Sequence, residues 1–282
     1  KELMTKSREY VKDKVESFGY IYEEHKITTK DGYINTAWRI PAKQATPTKI
    51  GKPIMLQHGV IDTGFTFLQL KEKSIAFLLA DAGYDVWLTN TRGYCSLEHT
   101  ELDPSEVNGK YWDFSLDEKA AYDLPAFVEY IKKKTGYNKV DYLGHSQGTA
   151  IFFLNFLSDP SYINNNIGKF VALGTVPGLA HSPNEVFKAL APFLGAMRTL
   201  IPVKKMLFLN DIIHDVLVEF VKLRPDIATD FAEWFTGYEP TGKTNYGDIP
   251  EWFHYYPGGT SKQNLLHWLQ NYKIKKLTHY DF

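Results

Sequence analysis

The sequence predicts an α/β fold: a mainly parallel sheet with helices on both faces and a helical cap inserted late in the chain. Three observations predict it. Short apolar runs of strand length recur at 53–59, 84–88, 140–143 and 169–175, separated by helical stretches, the alternation expected of parallel strands joined by crossover helices. After Val176 that rhythm stops, and residues 183–256 show helical periodicity broken by Pro and Gly with no β-branched run of strand length. Between the third and fourth runs lies Gly144-His145-Ser146-Gln147-Gly148-Thr149, a G-x-S-x-G pattern whose context, strand before and helix after, is a sharp turn that exposes its serine.

The elements follow in order. Residues 20–40 alternate around Asp31-Gly32, a hairpin turn dipeptide. A polar loop with proline occupies 42–52. Pro53-Ile54-Met55-Leu56-Gln57-His58-Gly59 reads as a strand ending at glycine, and 68–82 as a helix. Tyr84-Asp85-Val86-Trp87-Leu88 is the next strand, with Asn90-Thr91-Arg92-Gly93 as the loop at its end. Ser115 and Glu118 form a capping box opening a helix to about Lys134, kinked at Pro125. The strand at 140–143, the serine turn and a helix through Leu157 follow, and 169–175 is another buried strand. Gly258-Gly259-Thr260-Ser261 then precedes a helix whose Leu265, Trp268 and Leu269 share one face. The division is therefore a core at 1–182, a cap at 183–257 and a return helix to the core at 258–282.

Bulk composition narrows the function classes. A chain of 282 residues can bury one large core. Its 32 Lys and Arg balance 33 Asp and Glu for a formal charge of -1, so no electrostatic case exists for nucleic acid. The longest apolar stretches, 151–157 and 189–203, are too short or are interrupted by Pro192, Arg198 and Pro202 for the roughly 20 apolar residues a spanning helix needs. Cys95 is the single cysteine and no N-x-S/T sequon occurs, which tilts against a disulfide-stapled secreted protein. The chain begins at Lys1 without an initiator methionine or apolar leader, from which nothing about export follows.

A serine hydroxyl is a poor nucleophile unless it is exposed on a strained turn, beside a base and near donors for a developing oxyanion. Ser146 is the candidate nucleophile. The candidate donors are the backbone N–H of Gln147, directly after it, and that of Val60, in the loop that closes the strand at 53–59. His58 reads as a satisfied polar side chain. His145, adjacent to Ser146 on a tight turn, points elsewhere and is not taken as the base.

With Ser146 and its neighbours in hand, the chain resembles the acid lipase family, the gastric and lysosomal lipases with their fungal steryl ester hydrolase relatives. The likeness is carried by Asp31-Gly32-Tyr33 with Arg39-Ile40-Pro41, Leu56-Gln57-His58-Gly59, the stretch at 79–88, Asn90 with Arg92-Gly93, Phe114-Ser115 with Asp117-Glu118, Tyr122-Asp123-Leu124-Pro125-Ala126, and Gly258-Gly259-Thr260-Ser261 with Gln263-Asn264 and His267-Trp268. The resemblance implies an α/β-hydrolase core with a helical cap. It also implies hydrolysis of acylglycerols or steryl esters without a cofactor or metal, with Ser146 as nucleophile and the Val60 and Gln147 amides as oxyanion hole. A lysosomal or secreted location follows from it, weakly opposed by the lone cysteine and the missing sequon.

Two departures bear on mechanism. The cap cysteines common among the animal members are missing. Family members also continue past the point matching Tyr280-Asp281-Phe282 into two strands whose loops carry the triad aspartate and histidine. The later acids and histidines here are Asp211, Asp215, Asp226, Asp230, Asp248 and Asp281 with His214, His254, His267 and His279, and none follows a recognisable strand. The triad Asp and His are therefore expected outside this chain, from a continuation or companion segment that also pairs with the strand at 169–175, an apolar sheet edge otherwise. The rival expectation is a catalytically inactive lipase-like structural or lipid-binding subunit of a larger assembly. Residues 187–209 interleave apolar side chains with Lys188, Arg198, Lys204 and Lys205, a pattern that serves a lipid-facing gate or an ordinary packing face. Trp234-Phe235 and Trp252-Phe253 read as core.

Overall fold

The computed structural model describes residues 2–43, 51–95, 97–179, 185–207, 211–224, 226–227, 230, 256 and 258–281. Six strands share one sheet: β1 (Glu23–Thr28), β2 (Ile34–Ile40), β3 (Lys52–Gln57), β4 (Tyr84–Asn90), β5 (Val140–His145) and β6 (Ile167–Leu173), in spatial order β1-β2-β4-β3-β5-β6. β1 and β2 form the antiparallel hairpin around Asp31-Gly32, and β2 lies antiparallel on β4. From β4 through β3 and β5 to β6 every pairing is parallel.

Helices flank the sheet: α1 (Glu2–Ser17), α2 (Ile75–Asp81), α3 (Leu116–Glu118), α4 (Leu124–Thr135), α5 (Gln147–Ser158) and α6 (Pro160–Asn166). Successive side chains of a strand point to opposite faces, and the burial follows that rule. Ile54, Leu56, Val86, Leu88 and Leu143 pack on one face with Val11 and Val15 of α1 and Phe77 of α2. Their neighbours Met55, Trp87 and Tyr142 pack on the other face with Phe127 and Ile131 of α4 and Ile151 and Leu154 of α5. β6 ends the order, with Val171 and Leu173 exposed.

Beyond β6 come α7 (Glu185–Leu190), α8 (Leu194–Leu200), β7 (Lys205–Met206) and α9 (Asp211–Leu223), the described portion of the region expected as a cap. β7 pairs antiparallel with β8 (Thr260–Ser261), which leads into α10 (Lys262–Ile274), the return helix. Leu194 packs on Leu266 and Leu269, so α8 is fastened to α10. On α10 it is Leu266, with Trp268 and Leu269, that is buried, whereas Leu265 is half-buried.

Four stretches differ from expectation. Residues 68–82 are not one helix: Lys71 adopts φ +52, which ends helical continuity, and α2 starts afresh after Ser74. The capping box at Ser115 and Glu118 is present, but the helix widens into a π-turn at Lys119–Asp123 before α4. Pro125, in the first turn of α4, has no N–H to donate, and the wider turn accommodates it without a break. Helices α1 and α6 were not anticipated. Among its described side chains α1 sets only Val11 and Val15 in the apolar core, too weak a period to stand out, and α6 is announced only by Asp159, whose carboxylate accepts the Tyr162 N–H at 2.9 Å, and by Pro160 at its start.

Candidate active site

Ser146 stands between β5 and α5 at φ +50, ψ -113, a conformation that a non-glycine residue adopts only where its surroundings impose it. Two glycines permit it. A Cβ on Gly144 would come within 2.8 Å of the Gly148 carbonyl carbon, and one on Gly148 within 2.4 Å of the Gln57 carbonyl oxygen, so strand and helix can meet this closely only without side chains. The turn is then tied on both sides. The Ser146 N–H donates to the Leu173 carbonyl of β6 at 2.9 Å. The Ser146 carbonyl accepts from the Thr149 hydroxyl at 2.7 Å, and that hydroxyl accepts the Val176 N–H at 2.9 Å.

The loop after β3 closes over this turn. A Cβ on Gly59 would lie 3.4 Å from the Ser146 Cβ, so the loop leaves room for little more than a methyl group beside the candidate nucleophile, and Val60 is the next residue along, packed against the α5 side of the core. Ile61 is held at φ +50, a costly conformation for a β-branched residue, and its carbonyl accepts the Gly258 N–H at 2.6 Å. Both ring nitrogens of His58 are engaged: Nδ1 donates to the Gly59 carbonyl at 2.8 Å and Nε2 accepts the Thr91 N–H at 3.3 Å. Burial pushes His58 down to about 3. Asp62 accepts the Thr63 N–H at 2.7 Å, and burial pushes its carboxyl up to about 7.

Gln147 opens α5 with no solvent exposure. As the first residue of the helix its N–H has no acceptor within the helix. Its side-chain Oε1 accepts from Asn264 Nδ2 and Trp268 Nε1 of α10, each at 3.0 Å. Behind it a small polar cleft is lined by His58, Asp62, Thr91, Arg92, Lys119 and Gln147. The buried Arg92 is neutralised by Asp31, which accepts bidentately at 2.7 and 3.0 Å, and by Asp123, whose Oδ1 accepts from both Nε and Nη2 at 2.9 and 2.7 Å. Its guanidinium also lies 3.8 Å from the Tyr33 ring centre. Burial pushes the Lys119 amine down to about 8.

The structure thus brings together Ser146, Gln147 and the loop that carries Val60. Among the described residues the Ser146 hydroxyl has no hydrogen-bond partner. His145 is directed to Asp62, its Nδ1 4.0 Å from that carboxylate. His267 donates from Nε2 to the Thr278 carbonyl at 2.6 Å, His279 faces Asp117 at 2.8 Å, and Asp226 pairs with Arg224. Asp281 and Asp230 are exposed. Asp248, His254, Trp234-Phe235 and Trp252-Phe253 lie outside the described residues, as do the side chains of Asp211, His214 and Asp215. Among the described residues no group of three His, Cys, Asp or Glu is placed to hold a metal ion, and no helix is long and apolar enough to cross a membrane. Sequence reasoning gave no role to Asp62 or to the Asn264 and Trp268 contacts with Gln147. The only signal for that pair was its four-residue spacing, which puts both on one face of a helix.

Comparison with known proteins identifies the family. The family profile described as "alpha/beta hydrolase fold" matches residues 52–238, and "Partial alpha/beta-hydrolase lipase region" matches residues 11–70. Lipase member K of Homo sapiens is 36% identical over 94% of this chain and 67% of its own length. Gastric triacylglycerol lipase of Mus musculus is 36% identical over 94% of this chain and 68% of its own length. Lysosomal acid lipase/cholesteryl ester hydrolase of Homo sapiens is 34% identical over 96% of this chain and 69% of its own length. With a serine elbow in place and likeness of this extent along almost the whole chain, the protein belongs to the acid lipase family of the α/β-hydrolases, the family of the gastric and lysosomal lipases.

Proposed function

We propose that the protein is a serine ester hydrolase that cleaves neutral lipid esters, acylglycerols or cholesteryl esters, through an acyl-enzyme. The observation that carries this reading is the strained Ser146 at φ +50, beside the loop of Gly59. Its relatives are named for triacylglycerol and cholesteryl ester substrates. Ser146 Oγ attacks the ester carbonyl, the backbone N–H groups of Val60 and Gln147 receive the negative charge that develops on the carbonyl oxygen, and water later releases the fatty acid. The histidine that takes the serine proton, and the aspartate that orients it, belong in this reading to a segment outside residues 1–282, which pairs with the exposed edge of β6. The division into core 1–182, cap 183–257 and return helix 258–282 is part of the same reading, as is a lysosomal or secreted location.

The cap is the lipid-facing element. Phe193 is 61% exposed and Leu200 77%, next to Arg198 and Lys204, a combination suited to a lipid interface.

The test is labelling of the full-length protein with a fluorophosphonate, followed by peptide mapping and assays on triacylglycerol and cholesteryl ester emulsions. Labelling confined to Ser146, lost together with hydrolysis in Ser146→Ala, is the expected result. A well-folded full-length protein that is neither labelled nor active would instead be an inactive structural or lipid-binding subunit.

A further inference from the structure

We infer that Asn264 and Trp268 are positioning residues for the oxyanion hole: from the return helix they grip the side chain of Gln147 and so fix the direction of the N–H that follows the nucleophile. This rests on the reading of Ser146 as nucleophile and Gln147 N–H as donor.

The grip is specific in its chemistry. The Gln147 Oε1 receives two N–H groups, Asn264 Nδ2 and Trp268 Nε1, each at 3.0 Å. An indole N–H can only donate, so the atom facing Trp268 must be the amide oxygen, and the orientation of the Gln147 side chain is settled by its partners. Gln147 and Asn264 are wholly buried and Trp268 is 3% exposed, so water does not compete for these bonds.

Asn264 is itself anchored. Its N–H donates to the Ser261 hydroxyl at 3.0 Å and its Nδ2 is shared with the Thr260 hydroxyl at 3.1 Å, while the Ser261 hydroxyl donates to the Phe114 carbonyl. A chain of bonds therefore runs from the loop before α3, through β8 and α10, to the first residue of α5.

What makes the grip functional is the strain beside it. The peptide joining Ser146 to Gln147 follows a residue at φ +50, and such a peptide relaxes by rotating unless both flanks are held. Thr149 and Leu173 hold the Ser146 side. The Gln147 side chain holds the other. An oxyanion donor works only when it is already aimed at the position the charge will occupy, so a rotation too small to unfold anything would still lower the rate. A role in packing alone would be met by apolar residues of the same shape, with no amide or indole N–H converging on one oxygen.

The test uses the full-length protein and the variants Trp268→Phe, Asn264→Leu and Gln147→Met, which keep approximate shape and remove the polar contact. Turnover and KM on p-nitrophenyl butyrate are compared with inhibition by butylboronic acid, whose serine adduct mimics the tetrahedral state, at a temperature well below each variant's melting midpoint. Each variant is expected to lose about tenfold in kcat, less than deletion of a whole donor, with KM within about twofold and boronate binding weakened in parallel with kcat. The Trp268→Phe/Gln147→Met double variant is expected to lose no more than the worse single one, because both act through one contact. Folded variants whose kcat and boronate binding stay within twofold of the parent overturn the inference. So does a lower kcat with unchanged boronate binding, or additive losses in the double variant. If Asn264→Leu fails to fold, the other two variants still decide. A parent protein that neither hydrolyses the ester nor reacts with fluorophosphonate refutes the nucleophile reading itself.

Discussion

Two buried titratable residues flank the candidate nucleophile and respond to acid in opposite ways. Asp62, pushed up to about 7, keeps a proton in the folded protein that the unfolded chain releases near its ordinary value of 3.8. Its contribution to stability is therefore full below about pH 4 and is lost as pH rises towards 7. His58, pushed down to about 3, is neutral when folded, so its contribution is present above 6.5 and is lost as pH falls towards 3. Asp62→Asn removes the first effect alone. The expected outcome is a melting midpoint that no longer falls between pH 5 and 7.5, while the acid limb set by His58 persists. Roughly 3 pH units at about 1.4 kcal/mol each bounds the change at about 4 kcal/mol, measurable by denaturant unfolding across that range. Neither shift was legible in the sequence, because burial is a property of the assembled loop. Ser146, Gln147 and Val60 were legible because their placement follows from a local pattern, strand then turn then helix. Asp31, Arg92 and Asp123 were visible only as isolated residues, since their contact spans about ninety positions of chain and needs the finished sheet to bring them together.

At the scale of elements, the turn at Ser146 depends on how closely α5 approaches β3. Gly148→Ala would place a methyl 2.4 Å from the Gln57 carbonyl oxygen, and since that contact is backbone the helix itself must move. The expected cost is about 1–3 kcal/mol, seen as a lower thermal midpoint, together with loss of fluorophosphonate labelling at Ser146. The Arg92 cluster joins three elements: the hairpin turn through Asp31, the end of β4 and the π-turn through Asp123. Arg92→Met would leave two carboxylates without their cation, and removing one partner of a buried ionic group costs about 3–5 kcal/mol. Asp31→Asn, at the partly exposed end of the cluster, is expected to cost less, and urea unfolding ranks the two. The strands were readable because a central strand is a short apolar run bounded by glycine. The π-turn was not, because a single proline signals a disturbance without saying whether the helix breaks, bends or widens.

At the scale of the whole molecule, the described part of the region after β6 carries several exposed large apolar side chains. Phe193, Leu200, Val216 and Leu223 all stand out to solvent, whereas Leu194 turns inward onto α10. A double change Phe193→Ser with Leu200→Ser is therefore expected to reduce hydrolysis of emulsified triacylglycerol several-fold while leaving a water-soluble ester unaffected, a comparison made with one preparation on two substrates. The chain leaves the cap through β8, and just before it the Gly258 N–H is bonded to the carbonyl of Ile61, the neighbour of Val60. That bond ties the segment leading into β8 to the loop beside Ser146. In the proposed reading, in which residues 183–257 meet lipid, a displacement of that region would reach residues 59–62 through this contact as well as through the sheet.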